Sequence, residues 1–229
     1  MVDEHTATGI PRAQDYPVAF FVDYPERLSR VSTAFRLILV IPILVVLAVL
    51  VEPDAFDTGG LTARFAVRPY FDVTVPSVMP FASVLILAPA LMILFRQKYP
   101  RWWFDWNLQV LRFNNRINVY LLLLRDEYPS TDEEQAVRLD MRYPDAAQLN
   151  RWLPLVKWLL AIPHLIVLFF LTIGAIFAAI FAWFAIVFTG RYPRGFFDYV
   201  EGVMRWHLRV QAYAFILVTD QYPPFRLRP

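Results

Sequence analysis

The sequence predicts an all-α integral membrane protein: two tandem transmembrane helical hairpins, four spans in all, each followed by a cytoplasmic amphipathic interfacial helix and preceded by a short strand-like segment. Three observations carry that expectation. Of the 229 residues, 58% are hydrophobic and only 18% charged, whereas a soluble domain is nearer a quarter charged. The excess is gathered into uncharged runs at residues 37–51, 73–95 and 158–189, the last broken only by His164. A chain of this size cannot build a core that hides all three, so lipid is the expected solvent. Finally, the chain repeats itself.

Two offsets hold along the sequence. An offset of 121 pairs Leu28 with Leu149, Arg30 with Arg151, Arg36 with Lys157 and Ile41-Pro42 with Ile162-Pro163. An offset of 93 pairs Tyr99-Pro100-Arg101 with Tyr192-Pro193-Arg194, Phe104-Asp105 with Phe197-Asp198, Arg112 with Arg205, Arg116 with Arg209 and Tyr120 with Tyr213. One further residue sets Asp126 on Asp220. The offsets differ by 28, so copy one carries an insertion of that size, and the polar stretch 52–78 fits it. The expected organisation is a polar tail at 1–17, module one at 18–130 with an outward-facing insertion, and module two at 131–229.

Because the insertion lies between two apolar runs, the matching point of copy two, near Thr172 to Gly174, is expected to be a turn. Residues 30–51 make an arm of about 33 Å, enough to cross about 30 Å of hydrocarbon. Residues 173–190 make a tighter arm of about 27 Å. The competing reading is one continuous helix over 157–190, about 50 Å long. Pro42 and Pro163 fall inside the first arm of each copy and predict a kink.

Short alternating pieces at residues 18–23 and 136–142 precede the hairpins and read as strands that could pair with each other across the copies. Tyr-Pro dipeptides at 16, 24, 99, 128, 143, 192 and 222 punctuate the elements: proline ends helices, and tyrosine suits a water interface.

Lysine and arginine crowd the module ends and are sparse at the expected hairpin tips. By the positive-inside rule this puts both termini and the central linker in the cytoplasm. After each hairpin, apolar residues step by three and four: Trp103, Trp106, Val110, Phe113, Ile117 and Tyr120, then Phe196, Tyr199, Val203, Trp206, Val210 and Tyr213. That stripe makes Trp103, Trp106, Trp206 and Tyr199 expected interfacial anchors, either on lipid or on a neighbouring hairpin. The opposite face carries Arg112 and Arg116, or Arg205 and Arg209, four apart and able to share a phosphate. With Arg101 and Arg194 they form the expected site for lipid head groups or a partner, against the plainer reading of snorkelling anchors.

The run RYPRGFFDYVEGVMRWHLRVQAYAFILVTDQYPPF, with AIPHLIVLFF before it, resembles the bacterial membrane-protein family described as a domain of unknown function, DUF4389. Copy one resembles it more loosely, with KYPRWWFDW in place of the RYPRG form and Ile43 where copy two has His164. The resemblance implies a membrane location and a bacterial source; with the repeat and the charge bias, the expectation is two tandem copies in a multi-pass protein of the bacterial inner membrane, both termini cytoplasmic. It implies no activity.

The residues supply no catalytic constellation either. There is no G-x-S-x-G elbow and no Walker or dinucleotide loop. With no cysteine, thiolate chemistry, disulfides and cysteine-held metals are excluded, and His5, His164 and His207 have no i, i+4 partner for a metal. A net charge of +2 does not suit a nucleic-acid binder. No signal peptide is visible in the polar tail, and no cofactor is expected. His164 reads as a hydrogen-bonded structural residue, and Asp105 and Asp198 as helix caps or arginine partners. The expected function is that of a non-catalytic scaffold or accessory subunit of a membrane complex, or a lipid-organising protein. Its partners would be lipids and a membrane protein or further copies of itself. A small oligomeric transporter or channel component is the first alternative. A lipid-modifying enzyme using Asp105 or Asp198 is the second.

Overall fold

The computed structural model describes residues 16–45, 81–130 and 135–228. The polar tail and the 52–78 insertion fall outside these residues or nearly so. In chain order the elements are β1 (Val18–Val22), α1 (Arg30–Leu39), α2 (Phe81–Arg96), α3 (Arg101–Leu121), β2 (Val137–Met141), α4 (Pro154–Leu160), α5 (Ile162–Thr189) and α6 (Arg194–Ala214).

The two strands pair across the modules as an antiparallel ribbon, with Phe20 opposite Leu139 at its centre. Two strands alone are marginal in water. Here β1 packs on α6 and β2 on α3, so helices support one face of the ribbon. Alternation places Val18, Phe20, Val22, Leu139 and Met141 in the core while Arg138 and Asp140 point outward.

Both expected kinks are present. α1 ends at Leu39 and helical backbone resumes at 41–45, around Pro42. α4 ends at Leu160 and α5 begins at Ile162, around Pro163. The backbone ladder bridges each break: Val40 N–H donates to the Arg36 carbonyl and Leu44 N–H to Val40, while Ala161 donates to Lys157 and Leu165 to Ala161. Each proline removes one rung and bends the helix without ending it.

The expected turn near Thr172 to Gly174 is not there. α5 runs unbroken for 28 residues, and Thr172 returns its hydroxyl to the Leu168 carbonyl at 2.7 Å. The reason is local. After Pro163 the segment has only one glycine and no proline before the left-handed Gly190 (φ 75°), whose N–H closes the helix on the Ile186 carbonyl. Gly174 is where Tyr199 of α6 comes closest, its ring filling the space a Cβ would take. The apolar run of residues 162–189 is therefore no hairpin, and the 52–78 insertion lies outside the described residues. The expectation of two hairpins and four spans is corrected accordingly: among the described residues, α5 is the one helix long and apolar enough to cross a membrane.

α6 lies antiparallel along α5. Phe196 stacks near Phe181, Tyr199 donates to the Leu171 carbonyl at 3.0 Å, and Trp206 reaches His164. α1 continues the packing toward the end of α5, with Trp183 Nε1 donating to the Thr33 carbonyl and Leu28 N–H to Gly190. The molecule is thus layered: the ribbon outermost, α3 and α6 beneath it, and α5 flanked by α1 beneath them. α6 is buried almost all round, so it is not the surface helix the sequence suggested. Its stripe packs on protein.

The C-terminal tail closes over α6 at Gly202. A Cβ there would stand 2.9 Å from Leu227 Cβ and 3.1 Å from the Leu227 carbonyl oxygen, and backbone cannot step aside as a flexible side chain could. Gly202→Ala is expected to cost about 1–3 kcal/mol by overpacking and to lift the tail. Limited proteolysis should release the last residues of the variant faster than those of the parent chain.

Candidate functional site

The arginines singled out by the sequence hold the layers together. Arg205, 5% exposed, donates from Nε to the Phe20 carbonyl at 2.9 Å, from Nη1 to Leu227 at 3.0 Å and from Nη2 to Glu201 at 2.6 Å. Arg112 repeats the first contact from α3, with Nε on the Leu139 carbonyl at 2.9 Å and Nη2 on Asp140 at 3.1 Å. Phe20 and Leu139 face each other in the ribbon, so the two guanidiniums satisfy the carbonyls that the ladder leaves open on its two edges. Arg209 holds the tail through the carbonyls of Arg226 and Arg228, and Arg116 bonds the Ser130 carbonyl at 2.6 Å.

Arg101 and Arg194 are exposed, and each caps a tyrosine distant in sequence: Arg194 lies 4.4 Å from the Tyr24 ring and Arg101 5.6 Å from the Tyr143 ring. Tyr24 in turn donates to the Tyr192 carbonyl and Tyr143 to the Tyr99 carbonyl. A third matched pair is buried. Arg36 lies against the Tyr120 ring, bonds the Tyr120 carbonyl at 2.9 Å and pairs with Asp126. Lys157 lies against the Tyr213 ring, bonds the Thr219 carbonyl at 2.7 Å and pairs with Asp220 at 2.6 Å. Asp126 also accepts the Ser29 N–H, and Asp220 the Asn150 N–H.

These contacts give six of the seven Tyr-Pro tyrosines a task that the sequence reading missed. Tyr16, Tyr24, Tyr99, Tyr143, Tyr192 and Tyr222 donate their hydroxyls to distant backbone carbonyls, where water-interface placement had been expected. Burial holds the hydroxyls of Tyr16, Tyr99 and Tyr192 well above their ordinary range, keeping them protonated donors. Proline beside each one fixes the chain direction at an element boundary. Pairing at matched offsets was the available signal, because both members of a staple recur.

The expected aromatic anchors divide. Trp106 is 36% exposed, and Trp103 packs edgewise between Trp102 and Trp106. Trp206 is buried, with Nε1 donating to His164 Nδ1 at 3.1 Å, and Tyr199 is half-buried on Leu171. Both pack on α5, against which α6 lies. His164 is fully buried, its ring stacked 3.9 Å from that of Phe225, in keeping with its reading as a structural residue. Asp105 and Asp198 are exposed and cap nothing: the N-caps of α3 and α6 are Pro100 and Pro193, and among the described residues neither aspartate has an ion-pair partner. Among the described residues no group of three metal-ligating side chains converges.

Between α3, α5 and α6 lies a cavity of about 310 Å³. Asn114, Asn118, Thr172, His207 and Gln211 line one part of it, and Leu121, Ile176, Val203 and Met204 another. Burial pushes the His207 imidazole below its ordinary value, opposed by its contact with the Val203 carbonyl. The folded chain therefore favours the neutral ring, and the unfolded chain binds its proton first. Stability contributed at neutral pH should begin to fall as pH drops below about 6.5. In a melting series across that range, His207→Gln is expected to flatten this limb of the curve.

The fold thus defines a mostly helical protein, braced by buried cations, with one helix among the described residues long and apolar enough to span a membrane. Residues 152–226, which contain α4, α5 and α6, match the domain of unknown function DUF4389. No curated protein and no solved structure matches the chain.

Proposed function

We propose that this chain is a non-catalytic membrane-associated protein, a scaffold or accessory subunit that organises lipid or a membrane-protein partner at the cytoplasmic face of a bacterial inner membrane. One observation carries the reading. On the side of α5 away from α6, large apolar side chains stand exposed along the whole helix, including Phe169, Phe170, Phe177, Phe184 and Phe188, each at 50–75%. An exposed apolar patch of this extent marks an interaction surface. Meanwhile Arg205, Arg209, Arg36 and Lys157 spend their donors inside the fold. Of the arginines the sequence singled out, that leaves the exposed Arg101 and Arg194 as the ones placed to meet head groups.

The chain is, in this proposal, a duplicated module. The support is reciprocal: the cation, tyrosine and aspartate contacts of each half recur in the other at the offsets of the sequence. Left-handed backbone recurs too, at Gln97 and Gly190 and again at Leu123 and Leu217.

Purification in mild detergent, followed by mass spectrometry of co-eluting proteins and lipids, tests the function. Stoichiometric partner or anionic lipid is expected. A monodisperse monomer carrying neither would overturn the proposal.

A further inference from the structure

We infer that α5, although long enough to cross a bilayer, lies in the plane of one leaflet, its exposed aromatic face seated on anionic lipid and the ribbon facing water. The inference rests on the membrane reading above and adds its geometry.

The first argument is what α5 would carry with it. One stripe of the helix, His164, Leu168, Ala175, Ala178, Ala182 and Ile186, is buried over its full length, and the opposite stripe is bare. The ribbon packs on α6 through β1, and α6 in turn runs along α5. At one end Tyr24, just past β1, reaches the carbonyl of Tyr192, two residues beyond the close of α5. At the other, Tyr16 reaches the carbonyl of Arg209, whose neighbour Val210 packs with Ala161 and Leu168. If α5 stood across the membrane, the ribbon would stand across it too. The outward Arg138 and Asp140, the latter's side chain 75% exposed, would lie at hydrocarbon depth together with the arginines that bond the ribbon's edges. Charge there is expensive. An in-plane helix buries its bare stripe in acyl chains and leaves the ribbon in water.

The second argument is charge. Exposed arginines stand at both ends of α5: Arg96, Arg101 and Arg151 toward its start, Arg30, Arg191 and Arg194 at its close. Arg151 is tied to Gln97 by a bond of 2.6 Å, and Arg30 lies against Gly190. The positive-inside bias asks for both groups on one side. A continuous crossing helix separates them, whereas a helix lying flat puts all six at head-group level, where anionic lipid complements them.

The chain contains no cysteine, so single cysteines report cleanly. Arg151→Cys and Arg191→Cys, each in inverted and right-side-out membrane vesicles, should react with an impermeant maleimide from the same side. Labelling from opposite sides would overturn the inference while leaving membrane association intact. Phe177→Cys, carrying a fluorophore in vesicles of phosphatidylglycerol and phosphatidylethanolamine, should be quenched more by lipids brominated near the carbonyl than by lipids brominated at the acyl end. Stronger quenching at the acyl end, or protection from both because a protein partner or second copy covers the face, would also overturn it. Recovery of the chain in the soluble fraction without detergent would instead refute the membrane reading itself.

Discussion

Lys157→Met is expected to destabilise the protein by about 3–5 kcal/mol, the usual cost of removing one member of a buried ion pair, and to lower its melting temperature by about 10 °C for a chain of this length. Lys157 is completely buried. Its ammonium bonds the Thr219 carbonyl, pairs with Asp220 and lies 5.1 Å from the Tyr213 ring. Methionine keeps most of the stem's packing but leaves the Asp220 carboxylate, whose side chain is 27% exposed, with the Asn150 N–H and no countercharge. The penalty therefore comes mainly from the stranded anion. Adding Asp220→Asn should recover more than half of the loss, because the neutral amide is cheaper to bury. Thermal melting in detergent of the two single variants and the double variant measures this. A double variant no better than Lys157→Met alone would mean that the ammonium acts chiefly through Thr219 and Tyr213.

Arg205→Met should cost about 3–4 kcal/mol, and Arg112→Met only about 1, although the two residues hold equivalent carbonyls of the ribbon. The difference is exposure. The Arg205 side chain is 6% exposed and pairs with a Glu201 that is itself only 13% exposed, whereas those of Arg112 and Asp140 are 31% and 75% exposed. Water can replace most of what Arg112 supplies. It cannot reach Glu201, which would keep only the Val22 N–H. Arg205 also joins β1, α6 and the tail at Leu227, so its loss should loosen the strand and the tail together. Hydrogen exchange of β1 and the last residues, compared between the two variants, checks the asymmetry: fast exchange is expected in Arg205→Met alone.

Both comparisons depend on pairs that the sequence made visible before their purpose was known. The offset of 93 set Arg112 on Arg205, and the offset of 121 set Arg36 on Lys157. Those matches are legible because the paired positions make the same kind of backbone contact twice. The reading of what the arginines do was less successful. A guanidinium on the polar side of an amphipathic stripe looks the same in sequence whether that side faces a phosphate or a strand edge. Arg205 and Arg209 turned out to face protein because β1 and the tail close over α6. Those contacts span at least 17 residues and reach 185 in the case of Arg205 and Phe20, and no local pattern records them.

The hairpin expectation failed for a related reason. The 28-residue insertion read from the offsets lies outside the described residues, and where a chain is interrupted does not say which way it runs when whole. Thr172 and Gly174 read locally as turn formers, yet the hydroxyl is satisfied within the helix and the glycine is needed for the approach of Tyr199.

By itself, the sequence determined the apolar runs, the strand alternation, the proline kinks and the doubled order of cations, tyrosines and aspartates. All of these depend on residues within a turn or two of each other, or on simple repetition. Only the tertiary structure decided that α5 is continuous, that the strands form one ribbon over α3 and α6, and that the arginines bridge layers while one stripe of α5 stays bare. Those outcomes follow from which distant backbone carbonyls and apolar faces must be satisfied at once. That accounting closes only when the whole chain is folded.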